Sequence, residues 1–201
     1  MKRRSFVRTS VLGGTALGLG GLGLESCSQA RRKHLTILHT NDVHSHIDPF
    51  PSGHHRFPNL GGVSRRSSLI EAIRRENPNT LLLDAGDIFQ GTPYFNFYGG
   101  ELEFRLMSKM GYQASTLGNH DFDNGLDGLL AQLPNAEFSF VSANYDFTNT
   151  VLDGYIKPFE VYVIDGIRVG IFGLGIQLKG LVLEELYRET VYLDPVEIGQ
   201  E

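Results

Sequence analysis

The sequence predicts a layered α/β domain with a parallel start and a hairpin-rich second half. Three observations carry that prediction. Apolar strand runs alternate with helical stripes from residue 35 to about 133, the pattern of successive βαβ units. From Phe138 short strands follow one another, and Asp165-Gly166 sits between two of them as a hairpin turn. The composition is globular: 41% hydrophobic and 20% charged over 201 residues, with 24 glycines and 8 prolines. That balance disfavours disorder, a coiled coil and an all-helical chain.

Each element has its own signal. Leu35-Thr36-Ile37-Leu38-His39 alternates as a strand should, and Thr40-Asn41-Asp42 breaks it. His46 to Asn59 is a loop rich in Pro, His and Gly. Val63 to Glu76 is expected to be helical, with Leu69, Ile70 and Ile73 as the apolar stripe and Arg65, Arg66, Arg74 and Arg75 facing water. Asn77-Pro78-Asn79 stops it. Leu81-Leu82-Leu83 is a fully apolar strand that ends at Asp84-Ala85-Gly86-Asp87. A second helix is expected near Glu101 to Met110, with Leu102, Leu106 and Met110 on one face and Gly111 as the stop. Ala114 to Leu117 is a strand that runs directly into Gly118-Asn119-His120-Asp121. Leu126, Leu129, Leu130 and Leu133 mark a third helix before Pro134. Strands follow at Phe138–Val141, Val161–Ile164, Ile167–Phe172 and Thr190–Leu193.

Residues 1–27 have the features of a targeting peptide and stand outside the fold. Lys2-Arg3-Arg4-Ser5-Phe6-Val7-Arg8 is a basic start, and Ser10 to Leu24 is a 15-residue apolar stretch diluted by six glycines. It is too short and too weakly hydrophobic for a stable membrane helix. Leu24-Glu25-Ser26-Cys27 closes it and resembles a lipoprotein cleavage box behind a twin-arginine signal. Cys27 would then carry lipid and tether the domain without a membrane span. The other reading is a Sec-type signal cleaved elsewhere, with Cys27 incidental. Either way the expectation is an exported protein of the periplasm or cell envelope, with membrane contact only through the anchor and 28–34 as a linker.

Composition also excludes function classes. One cysteine rules out an internal disulfide framework and a Cys-x-x-Cys zinc site. Net charge is −5; residues 1–27 hold four bases and one acid, so the rest of the chain carries −8. That charge argues against binding a nucleic-acid polymer.

Three polar clusters recur at one structural place, the carboxyl end of a strand: Asp42-Val43-His44, Gly86-Asp87 and Gly118-Asn119-His120-Asp121. Strand ends are where α/β sheets build sites. Asp42 and His44 are two apart, so an extended exit would point both side chains the same way. A carboxylate and an imidazole on one side suit a borderline divalent metal. Asp87 could bridge two ions, and Asn119 would ligate without cancelling charge. Taken singly, each residue is more simply a cap, a turn or a core histidine. Three strand ends that all deliver ligand types favour a metal site.

Leu38-His39-Thr40-Asn41-Asp42-Val43-His44-Ser45-His46 resembles the first signature of the 5′-nucleotidase family within the calcineurin-like metallophosphoesterases. Tyr112 and Leu117-Gly118-Asn119-His120-Asp121-Phe122-Asp123 resemble the second, and Leu60-Gly61-Gly62 and Gly86-Asp87 fall between them in the family's order. Asp121 stands where Glu is commoner, with little effect expected, since that residue is not a ligand in the family. The resemblance covers about residues 35 to 200. It implies a layered αββα sandwich of the metallo-dependent phosphatase type with mixed sheets, here the N-terminal part of that domain (35–201). It implies two divalent ions such as Zn²⁺ or Mn²⁺, and a nucleotide or other phosphate ester as substrate. Asp42 and His44 would bind one ion, Asp87 would bridge both, and Asn119 would bind the second. The pair would activate a water for in-line attack on phosphorus. His120 would stabilise or protonate the leaving oxygen, and Asp123 would hold its imidazole. His46 is a group behind the ligands or a plain loop histidine. His54 and His55 are expected to be solvated, and His39 structural.

All seven histidines lie at or before residue 120. The family brings further ligands in later Gly-His and Gly-His-x-His motifs, and a separate domain that grips the nucleobase. Four nameable ligands against the seven or eight that two ions want give the expectation of a truncated chain with little turnover. The competing expectation is a non-catalytic exported lipoprotein fragment.

Overall fold

The structure, a computed structural model, describes residues 32–200. The expected signal at 1–27, its lipidation at Cys27 and most of the linker lie outside the described residues. Among the described residues no helix is long and apolar enough to cross a membrane.

Four strands, β1 (Thr36–Thr40), β2 (Thr80–Asp84), β3 (Ala114–Ser115) and β4 (Ser139–Phe140), form one sheet in the order β1-β2-β3-β4. Every neighbouring pair is parallel, with Thr40 opposite Asp84 and Asp84 opposite Ser115. All four strands therefore end on the same side of the sheet, which gathers their exit loops at one edge. The crossovers are α1 (Val63–Glu76), then α2 (Pro93–Tyr98) with α3 (Glu101–Met110), then α4 (Gly125–Gln132). Crossovers of a dozen or more residues through helices are what parallel pairing requires.

The second half is antiparallel. β6 (Phe159–Ile164) pairs with β7 (Ile167–Phe172) across Asp165 and Gly166, both left-handed at φ 48° and 74°, the geometry of a two-residue hairpin turn. A further strand, β5 (Tyr145–Asp146), pairs antiparallel with β8 (Val191–Tyr192). The α/β class is borne out. Parallel and antiparallel pairing are segregated into separate sheets rather than mixed within one.

Between the four-stranded sheet and its helices lies a core built on Leu82, Phe89, Phe104, Leu117, Phe122, Leu126 and Leu129, each at most 1% exposed. Two stripes differ from expectation. On α1 the buried residues are Val63 and Ile70, while Leu69 is 61% exposed. On α3 they are Glu103, Phe104, Met107 and Met110, so the helix is rotated from the Leu102–Leu106 face. The α1 arginines are not all solvated. Arg74 donates to the carbonyls of Met110 and Gly111 at 2.5 and 2.6 Å, locking α1 to the C-terminus of α3. The α2 helix carries no apolar periodicity. Its signals are Pro93 at the first turn and left-handed Gly99 at the end.

Candidate metal centre

Past the strands, the first two loops continue side by side. The amides of Asp42, His44 and Ser45 donate to the carbonyls of Gly86, Asp87 and Ile88 at 3.0, 3.0 and 2.9 Å. The backbone is not extended there: Asp42, His44, Ser45 and Asp87 have φ of 50°, 45°, 55° and 56°. Asp42 and His44 therefore converge through a left-handed turn, which corrects the expectation of strand alternation. Such conformations cost non-glycine residues free energy and persist where surrounding bonds impose them, commonly at functional sites. The third loop closes against the second at glycines: a Cβ on Gly86 would collide with the Gly118 backbone nitrogen.

The result is one cluster. Asp42, His44 and Asp87 offer ligand atoms that lie within 4.8 Å of one another. His44 Nε2 and Asp42 Oδ1 are 3.8 Å apart. Two atoms each bound at about 2.1 Å to one ion can be at most about 4.2 Å apart, so this pair fits a shared ion as it stands. His44 Nδ1 faces the carbonyl of Phe89 at 3.3 Å. A carbonyl can only accept, so this contact favours the tautomer with a proton on Nδ1, in which Nε2 would be the ligating nitrogen. An oxygen and imidazole donor set of this kind fits a borderline divalent cation such as Zn²⁺ or Mn²⁺.

Asp87 Oδ1 accepts the His120 amide at 2.8 Å, which ties the third loop to the cluster. Asn119 lies half-buried between Gly118 and His120. The His120 ring stands edge-on to His44 with centroids 5.2 Å apart. Its Nδ1 is 2.9 Å from Asp123 Oδ2, and that hydrogen bond raises the imidazole above the usual histidine range against the opposing effect of burial. The Asp123 contact through Nδ1 leaves the His120 Nε2 directed away from that carboxylate.

Asp121 is 1% exposed, and its carboxylate accepts four backbone amides. Oδ2 takes Asp87 at 2.9 Å and Gly118 at 2.8 Å; Oδ1 takes Ile88 at 2.9 Å and Phe89 at 3.2 Å. Burial pushes its carboxyl up to about 7, opposed by the amides of Gly118 and Phe89. Asp121 is not among the clustered ligands, and its part is to close the loops through these amides. An acid directly after the strand-end Gly-Asn-His was the signal available.

The remaining histidines stand outside the cluster. His46 packs on Phe50 with centroids 4.7 Å apart, and burial, then His44 and His54, lower its imidazole. His54 is not simply solvated: it packs on Phe50 and accepts the Phe57 amide at 3.0 Å. His55 is exposed. His39 is exposed on the edge strand β1 beside a cavity of about 280 Å³. A cleft of about 440 Å³ opens beside Asp42, lined by His46, Phe50, Arg65 and Arg66 among others.

Comparison with known proteins points the same way as the geometry. A sequence model described as calcineurin-like phosphoesterase matches residues 35–195. The chain is 42% identical over 170 residues to a 5′-nucleotidase of Diplobatis ommata, covering 82% of this chain and 29% of that protein. It is 42% identical over 146 residues to a snake venom 5′-nucleotidase of Naja atra, covering 69% and 28%. The crystal structure of a 5′-nucleotidase precursor from Thermus thermophilus superposes with a TM-score of 0.75 at 40% identity, covering 83% of this chain and 33% of that one. The chain thus spans under a third of the length of these curated relatives.

Proposed function

The chain belongs to the calcineurin-like phosphoesterase family, and from that premise we propose that it contributes the Asp42–His44–Asp87 wall of a divalent-metal phosphoesterase site acting on nucleotides. One observation carries the metal reading: three ligands, two carboxylates and an imidazole, from two strand ends meet within 4.8 Å, on backbone held left-handed at each of the three residues. Asp42 and His44 would hold one cation, Asp87 would reach two, and Asn119 would serve the second. When bound, such cations supply Lewis acidity toward a phosphoryl group and an activated water.

The chain's own groups define the rest. The Phe89 carbonyl beside Nδ1 favours the His44 tautomer that would ligate through Nε2. His120, whose imidazole is raised by its hydrogen bond to Asp123, stands beside the cluster and would stabilise or protonate the leaving oxygen through Nε2. Asp121 and the Gly86–Gly118 contact keep the second and third loops in register, so donor positions are set before any substrate arrives. Nucleotides are the proposed substrate because the named relatives are 5′-nucleotidases. Export with a lipid at Cys27 is proposed from the sequence of residues 1–27, and the similarity to a snake venom 5′-nucleotidase and to a 5′-nucleotidase precursor supports export.

The test is Mn²⁺ binding and phosphate release from a nucleoside 5′-monophosphate. Saturable Mn²⁺ binding lost in Asp87→Ala is expected. His120→Ala should leave Mn²⁺ binding intact and lower phosphate release about 10²–10⁴-fold. In the 201-residue chain release is expected to be weak, because among the described residues this cluster supplies only three carboxylate or imidazole donors. Phosphate release that survives Asp87→Ala overturns the reading.

A further inference from the structure

Behind the two ligand loops lies a carboxyl group that the candidate site does not use. Glu103, on α3, is 3% exposed. Its Oε1 accepts the Ser45 hydroxyl at 2.5 Å. Thr92 makes two contacts with Ser45 and donates its one hydroxyl proton to the carbonyl. The contacts are 2.9 Å to the hydroxyl oxygen and 2.7 Å to the carbonyl. Ser45 follows His44 directly, and Thr92 lies five residues after Asp87 in the next loop. One buried carboxyl group therefore holds Ser45 of the first loop, and Ser45 in turn meets Thr92 of the second.

The position is costly for a core residue. Among the described residues Glu103 Oε2 has no hydrogen-bond partner, and neither has the buried Nε of Arg66. Both residues line a cavity of about 10 Å³. Burying a carboxyl group half-satisfied is unfavourable where a leucine would pack. What Glu103 supplies that a leucine would not is the hold on Ser45, which is itself 1% exposed and left-handed at φ 55° beside His44 at 45°. Non-glycine residues keep that conformation when their surroundings over-determine it.

We propose that Glu103 is a positioning residue for the candidate metal centre: through Ser45 and Thr92 it braces the His44 loop against the Asp87 loop and so sets how tightly the donors hold a divalent cation. The proposal rests on the metal reading above. Partners behind metal ligands commonly govern affinity by orienting them.

The experiment is Mn²⁺ binding to the EDTA-stripped full chain, read from the free-Mn²⁺ EPR signal, with circular dichroism as the check on folding. Glu103→Leu should weaken binding about tenfold or more, whereas Glu103→Gln, which retains an acceptor for Ser45, should stay close to wild type. Ser45→Ala should match Glu103→Leu, and the double variant should lose no more than either alone, as members of one linkage do. Met110→Ala, a core change at the far end of α3, should lower the melting temperature without altering Mn²⁺ affinity. Wild-type affinity in Glu103→Leu or Ser45→Ala, or additive losses in the double variant, overturns the proposal. Should Glu103→Leu not fold, Ser45→Ala against Glu103→Gln decides the same point. Mn²⁺ binding lost in Asp87→Ala but untouched in Ser45→Ala removes the brace and leaves the metal reading standing. A wild-type chain that binds no Mn²⁺ removes both.

Discussion

The backbone amide of Asp87 donates to the Asp121 carboxylate at 2.9 Å, so a side chain of the third strand-end loop fixes the backbone of the second. The same carboxylate takes Ile88, Phe89 and Gly118. Asp121→Ala would leave these donors without an acceptor in a buried place. At about 1–3 kcal/mol for each orphaned buried group, with partial relaxation, the loss should be about 3–5 kcal/mol. Asp121→Asn should also destabilise, since its NH₂ would face backbone donors. Urea unfolding of the three proteins checks this; a variant within about 1 kcal/mol of wild type would refute the shared-acceptor role.

Asp84 yields a pH-dependent prediction with a definite sign. It is 5% exposed, and burial raises its carboxyl above the ordinary range despite hydrogen bonds from Thr40, Gly86 and Ser115 and the charge of Arg66. A folded-state value above the unfolded one means that the fold prefers the protonated form. That contribution is whole below about pH 4 and is lost as pH rises through the raised folded value. Asp84→Asn keeps an oxygen for the Gly86 amide, and its NH₂ can donate to Thr40, whose hydroxyl also lies 2.8 Å from Tyr112. The variant should match or exceed wild-type stability at pH 7 and flatten the fall between pH 4 and pH 7. Chemical unfolding at the two pH values measures it, and a steeper pH dependence in the variant would contradict it.

In the metal-free chain, His120 should titrate above an ordinary histidine because Asp123 holds its Nδ1 proton. Asp123→Asn should move that titration down. Two-dimensional NMR of the imidazole resonances follows both, and an unchanged midpoint in the variant would show that the ion pair does not govern the ring.

Cys27→Ser should release the chain from the membrane fraction of an exporting host without altering the circular dichroism of the folded domain. Fractionation with metabolic lipid labelling is the measurement. Membrane association that persists in the variant would speak against lipidation at this residue.

Much of the architecture was legible because its signals are local. The α1 helix, Val63–Glu76, follows from a stripe and the Asn77-Pro78-Asn79 stop, and the β6–β7 hairpin follows from Asp165-Gly166 between apolar runs. The α2 helix, six residues with Phe97 83% exposed, is too short for periodicity to show. Helix faces were also less legible than helices. Leu69 and Ile70 are adjacent in the stripe, yet which of them is buried depends on what α1 packs against.

For the candidate site, the sequence by itself determined which residue types stand at three strand ends, since composition and spacing place Asp42, His44, Asp87, Asn119 and His120 there without any fold. The alternation of strands and helices also pointed to βαβ units, while the order β1-β2-β3-β4 that sends those ends to one edge belongs to the folded sheet. Only the tertiary structure decided the rest: the left-handed turn that brings Asp42 to His44, the carbonyl of Phe89 that favours one His44 tautomer, and the carboxyl groups of Asp121 and Glu103 that hold the loops. These depend on hydrogen bonds between residues tens of positions apart, and a buried acid carries no mark in the sequence that separates it from a solvated one. Periodicity reports which face of an element is apolar; it is silent on which distant amide a carboxylate will meet.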